Sequence, residues 1–174
     1  MVNATTIEEN KIREILEQIT DPEIPVLTIA DLGIIREIRF NPIEGNKGDQ
    51  ETEVLITPTY SGCPAMDMIA TLIRLALAEN GYKKVKVTEV LSPAWTTDWM
   101  SEDGKQKLKA YGIAPPNPRQ QACRDALFTP HEAVQCPHCD SWHTRRISEF
   151  GSTPCKALYR CEDCQEPFDY FKCH

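Results

Sequence analysis

Cys136-Pro137-His138-Cys139 and Cys161-Glu162-Asp163-Cys164 are two CxxC pairs with 21 residues between them. Two residues between thiolates let one tight turn place both sulfurs on one side of a tetrahedral ion. Roughly 20 residues between the pairs are enough for a β-hairpin that brings the second pair to the other side. The spacing predicts a zinc β-ribbon over residues 135–174, its Zn2+ held by Cys136, Cys139, Cys161 and Cys164. Four protein ligands leave no position for water or substrate, so the metal is read as structural, and its binding supplies most of the folding free energy of so small a unit. An iron-sulfur cluster on the same four thiolates, or two separate redox-active thiol pairs, are the competing readings. His138 and His143 flank the first pair and could replace a cysteine, although four thiolates already suffice.

Working outward from the pairs, His143 to Phe150 and Lys156 to Tyr159 read as ribbon strands, turned by Gly151-Ser152-Thr153-Pro154. Phe168, Tyr170 and Phe171 offer a last strand and a small aromatic core. Cys155 and Cys173 are further thiols, read either as small buried residues or as part of a second, weaker thiol site; Cys123 has no assigned role. Upstream, Pro115-Pro116-Asn117-Pro118 forms a stiff connector. The expected organisation is a domain over 1–114, a linker over 115–134 and the ribbon, and Arg119 to Gln135 shows only weak periodicity.

The first 114 residues alternate between the helical and strand periods. Thr6-Ile7-Glu8-Glu9 reads as a capping box, followed by Ile12, Ile15, Leu16 and Ile19 on one helical face, and Asp21-Pro22-Glu23-Ile24-Pro25 ends that helix. Ile34 to Phe40 and Glu53 to Thr57 read as strands around the polar stretch Asn41 to Glu51. Pro64 suits a first helical position, Ile69, Leu72, Ile73 and Ala76 form the stripe of that helix, and Asn80-Gly81 stops it. Val85 to Leu91 is a third strand, and Ser101 to Tyr111 a short helix closed by Gly112. The order α-β-β-α-β-α makes the second and third strands parallel across a right-handed helical crossover. The fold class is therefore α/β, with a C-terminal zinc β-ribbon.

Cys63, in Tyr60-Ser61-Gly62-Cys63-Pro64, stands apart from the other seven cysteines, all of which lie in the last third of the chain. Just ahead of a helix start, unpaired N–H groups and the positive end of the helix dipole favour a lowered thiol pKa. Such a thiolate could bind iron, a cluster or a partner's metal; the alternative is a buried cysteine that only packs. Asp21, Glu23 and Asp31 could bring carboxylates near it, although turn and capping chemistry is their ordinary use. Trp95 and Trp99 are read as core or interface residues.

Composition narrows the classes further. The net charge is -7 over 174 residues, with 12 Lys and Arg against 18 Asp and Glu up to Ala114 and 7 against 8 beyond it. No basic run exists to neutralise phosphates, which disfavours nucleic acid as a partner. Met1 to Asn10 lacks the apolar core of a signal peptide, and no stretch approaches a membrane span, so the thiols are expected in a reducing cytoplasm, where metal binding outweighs disulfides. No glycine-rich phosphate loop, paired acid and base or nucleophile constellation stands out, so the chain is not expected to be catalytic itself.

Asp21-Pro22-Glu23-Ile24-Pro25-Val26-Leu27-Thr28-Ile29-Ala30-Asp31-Leu32-Gly33 resembles the signature of a small α/β family of iron-sulfur assembly factors, which includes SufT-type proteins and the cytosolic cluster-targeting factors of eukaryotes. Thr57-Pro58-Thr59-Tyr60-Ser61-Gly62-Cys63-Pro64 is similar to that family's lone-cysteine loop. Pro93-Ala94-Trp95-Thr96-Thr97-Asp98-Trp99-Met100, Tyr111-Gly112-Ile113-Ala114-Pro115-Pro116 and the run from Ser148 through Cys173 resemble the PaaD family of phenylacetate-degradation proteins. That resemblance implies an accessory protein of the phenylacetyl-CoA epoxidase system, which pairs a di-iron oxygenase with a reductase carrying flavin and a [2Fe–2S] cluster. It implies as partners the epoxidase components, above all that reductase, and delivery or maturation of its cluster; the alternative is a stoichiometric structural subunit. It also implies a role for Cys63 as the contact to iron or a transient iron-sulfur cluster, with Asp21 and Glu23 matching the motif without a settled chemistry. One thiol cannot supply the usual four ligands, so a bound cluster would need a homodimer, ribbon thiols or a partner.

Overall fold

The computed structural model describes residues 4–43, 50–116 and 134–172 and divides into two units, Met1–Trp95 and Thr96–His174. In the first unit, helix α1 spans Ala4–Leu16, strand β1 Ile35–Pro42, strand β2 Gln50–Ile56, helix α2 Ala65–Glu79 and strand β3 Val85–Glu89. Strand order is β1-β2-β3, with β1 antiparallel and β3 parallel to β2. α2 thus forms the crossover between parallel neighbours, as the chain order predicts. The core joins Ile12 and Leu16 of α1, Ile69, Ile73 and Leu77 of α2, and Ile38, Val54 and Ile56 of the sheet, each 6% exposed or less.

Three local expectations are corrected. α1 begins at Ala4, so Thr6 lies within the helix rather than capping it, and Glu9 instead pairs with Arg13 one turn on at 2.8 Å. The helix also stops at Leu16; tight turns from Ile15 and Leu16 carry the chain to Ile19, which still reaches the core. Pro64 has helical dihedrals but serves as the cap residue ahead of Ala65.

The stretch between α1 and β1 is held by its own polar side chains. Asp21 Oδ1 accepts from the amides of Glu23 at 2.8 Å and Ile24 at 2.7 Å. Asp31 Oδ2 accepts from the amide and hydroxyl of Thr28, each at 3.0 Å. These turns bury Ile24, Leu27, Ile29 and Leu32, and Gly33 escapes at φ 67. Trp95 is buried and its Nε1–H donates to the Leu32 carbonyl at 2.8 Å, which places it in the core of the first unit.

The second unit contains a 3-10 turn at Thr97–Trp99, helix α3 at Glu102–Ala110, strand β4 at Ile113–Ala114, β5 at Thr144–Ser148, β6 at Lys156–Cys161 and β7 at Pro167–Phe171. Ser101 caps α3, its hydroxyl accepting from the Gly104 amide at 2.8 Å, and Gly112 leaves the helix at φ 89. The sheet order is β4-β7-β6-β5. β4 pairs in parallel with β7, Ile113 opposite Asp169 and Ala114 opposite Tyr170. This pairing draws α3 and β4 into the unit that holds the ribbon, whereas the prolines from 115 onward had suggested a boundary after Ala114. Ala114, Val134, Cys136, Ala157, Tyr159, Cys161, Phe168 and Tyr170 form one small core, with Tyr159 stacked on Phe168 and edge-on to Tyr170. Among the described residues no helix is long and apolar enough to cross a membrane. Cys123, Cys173 and the weakly periodic stretch around Cys123 lie outside the described residues.

Candidate functional site

Two hairpin ends of the second unit carry the four ribbon cysteines, and their backbone is nearly duplicated. The Cys136 amide donates to the Ser141 carbonyl at 2.8 Å, and the Cys161 amide to the Glu166 carbonyl at 3.0 Å. The residue after each second cysteine, Asp140 at φ 60 and Gln165 at φ 65, turns left-handed. For a non-glycine residue that conformation costs energy, which the surrounding structure must supply. CxxC spacing alone does not announce it.

The sulfur atoms of Cys136, Cys139, Cys161 and Cys164 all lie within 4.8 Å of one another. Across the pairs, Cys136 to Cys164 is 3.7 Å and Cys139 to Cys161 is 3.5 Å. A tetrahedral ion with metal–sulfur bonds of ~2.3 Å sets its sulfurs about 3.8 Å apart, so the donor set fits zinc in both chemistry and spacing. Cys136 and Cys161 are buried while Cys139 is exposed, so the site sits at the rim of the small core. The Cys164 amide hydrogen bond pulls the Cys161 thiol down to about 7, while Cys136, Cys139 and Cys164 are pushed up, so without an ion the four sulfurs do not all favour the thiolate.

A polar link crosses the knuckles outside the metal position. Ser141 and His143 both reach Asp163, the imidazole Nδ1 at 3.1 Å, and the Ser141 Oγ also accepts from the His143 amide at 2.9 Å. The order is Ser–Asp–His, with the carboxylate in the middle, so the hydroxyl has no base and the arrangement is a tie rather than a nucleophile. His138 lies against Gly112 instead: a Cβ there would stand 3.1 Å from its Cε1. Neither histidine belongs to the converging donor group, nor does Cys155, which is buried with its sulfur 3.0 Å from the Thr153 hydroxyl.

Cys63 lies in the first unit, in the loop between β2 and α2, at the C-terminal end of parallel strands where α/β folds place their sites. The chain turns there through Gly62 at φ 83, and the Cys63 carbonyl accepts from the Met66 amide at 3.2 Å. The thiol is half-buried. The lowered pKa expected from the helix start is corrected: burial pushes the thiol up, outweighing the Ala65 amide and Tyr60 that favour the thiolate. The Glu23 and Asp21 carboxylates push in the same direction as burial, so the fold does bring these two residues into the field of Cys63. They are not part of a converged metal-donor group, and Asp21 is committed to its turn.

Sequence reading missed a polar cluster on the sheet. Glu53 binds Lys86 at 2.8 Å, the Thr88 hydroxyl at 2.6 Å and the Asn41 amide at 3.1 Å. These contacts, led by Lys86, hold its carboxyl at about 2. Glu53, directly ahead of the apolar run Val54-Leu55-Ile56, was the signal available.

A family model described as iron-sulfur cluster assembly protein matches residues 9–91, and one described as PaaD zinc beta ribbon domain matches residues 120–172. The chain is 49% identical over 176 aligned positions, covering 99% of each chain, to an Escherichia coli protein named as a subunit of 1,2-phenylacetyl-CoA epoxidase. It is 35% identical over 96 residues, 53% of this chain and 85% of the relative, to the Bacillus subtilis "Fe-S protein maturation auxiliary factor YitW". Among solved structures, the DUF59 domain of unknown function from Bacillus anthracis aligns at a TM-score of 0.51 and 28% identity, covering 61% of this chain and 97% of that one.

Proposed function

The chain belongs to the PaaD family, and from that premise we propose that it is an accessory protein of a phenylacetyl-CoA epoxidase system in phenylacetate degradation, assisting iron-sulfur maturation of the system's flavin reductase. The observation that carries the reading is the union, in one chain, of an iron-sulfur assembly domain presenting a lone cysteine at a helix start with a ribbon whose four thiolates converge. The ribbon thiolates hold zinc as a structural ion, because four protein ligands leave it no open position. Cys63 contacts iron or an iron-sulfur species in transit. It supplies one ligand where a cluster takes about four, so donor and client provide the rest, and the chemistry is handover rather than storage. Burial and the carboxylates of Asp21 and Glu23 keep the resting sulfur protonated. When a cation approaches, the half-exposed thiol releases its proton to solvent as the sulfur–metal bond forms, and the same carboxylates then stabilise the incoming positive charge.

The test is cluster content of the reductase, purified anaerobically from cells that lack this chain or carry Cys63→Ser. The expected result is a cluster-poor reductase beside normal oxygenase subunits; a fully loaded reductase in either background would sink the maturation role. The name of the E. coli relative favours a second reading, a stoichiometric component of the epoxidase complex. That reading requires co-purification in fixed ratio and lost turnover even with a pre-loaded reductase. Full turnover of the complex without this chain would exclude it.

A further inference from the structure

Helix α2 buries Ala65, Met66, Ile69, Ile73 and Leu77 on one side and exposes Met68 (53%) and Leu75 (55%) on the other, with Thr71 and Ala78 beside them. Single exposed apolar residues are ordinary; the charges flanking this stripe are what specify an occupant. Asp67 and Arg74 are seven residues apart, so they share one flank of the helix but stand roughly 10 Å apart along its axis. Among the described residues neither has an ion-pair partner.

We propose that α2 is the contact of a weak two-fold homodimer, its exposed stripe packing antiparallel on the same stripe of a second copy. In an antiparallel pair each flank faces the same flank of its neighbour. Asp67 therefore meets Arg74 of the second copy, and Arg74 meets its Asp67, while Met68 and Leu75 close the centre. In a parallel two-fold pair each flank would face the opposite flank of its neighbour, so Asp67 and Arg74 would not meet. The two-fold axis passes between Ala70 and Thr71. At 1.5 Å rise per residue, each Cys63 then lies about 11 Å along its helix from that axis. The two thiols are held roughly 20 Å apart, too far to share a cluster, so each copy presents its own Cys63 loop to a client. One helix face is a small interface, below about 1,200 Å², so association is concentration-dependent.

Sedimentation velocity of the full zinc-loaded chain, from about 2 to about 200 μM, reads this directly. The wild type shifts from monomer to dimer over that range. Asp67→Arg and Arg74→Asp each weaken the dimer roughly tenfold, because each places like charges together twice. The double exchange returns the affinity to within about threefold of wild type, and circular dichroism of all four proteins is the same. A wild type that stays monomeric throughout, a dimer indifferent to the single exchanges, or a double exchange that fails to restore it would overturn the proposal. No iron enters the experiment, so its outcome is separate from that of the maturation reading.

Discussion

At Cys63 two general effects oppose one another: a helix start favours a thiolate, and burial beside carboxylates favours a thiol. The sequence displays the first, because Pro64 marks the helix start, but desolvation depends on what the rest of the chain packs around the sulfur. Glu53 shows the opposite balance, its carboxyl held at about 2 by Lys86, Thr88 and Asn41. A lowered carboxyl pKa contributes stability that is complete above the unfolded value near 4.5 and is lost as pH falls toward the folded one. Glu53→Gln is therefore expected to cost the first unit about 1–2 kcal/mol at neutral pH. The difference should shrink between about pH 4.5 and pH 2. Amide exchange of β2 and β3 across that range checks it; a cost independent of pH would mean that packing, not charge, is what Glu53 provides.

Among the elements, α3 and the first CxxC turn meet at Gly112, whose backbone is left-handed and whose missing Cβ leaves room for the His138 ring. Gly112→Ala should destabilise the second unit by about 1–3 kcal/mol, from the backbone conformation together with the contact. Repeating the substitution in a His138→Ala background separates the two, since only the contact is relieved there. Equal losses in both backgrounds, measured by thermal unfolding, would show that His138 is not what the glycine accommodates. The helices and strands were legible because their apolar periods were strong, as with Ile12, Leu16, Ile69 and Ile73. Their ends were less so: Thr6 looks like a cap, but nothing local prevents the helix from starting at Ala4.

At the scale of the whole molecule, the second unit has, among the described residues, a small core and four converging cysteine sulfurs, and zinc is expected to provide most of its stability. Chelation should abolish amide protection in β5, β6 and β7 and, with them, in α3 and β4, while α1, α2 and β1 to β3 stay protected. Retention of α3 protection in the metal-free chain would place that helix with the first unit instead. The CxxC spacing, the alternating periods and the parallel crossover were determined by the sequence alone, because each rests on neighbours or on a repeat that a linear reading can count. The allegiance of α3 and β4, the raised pKa of Cys63 and the Glu53 cluster were decided only by tertiary structure. Each depends on residues distant in the chain, such as Ala114 beside Tyr170 or Glu53 beside Thr88. Burial and long-range pairing are properties of packing, which no local pattern of side chains carries.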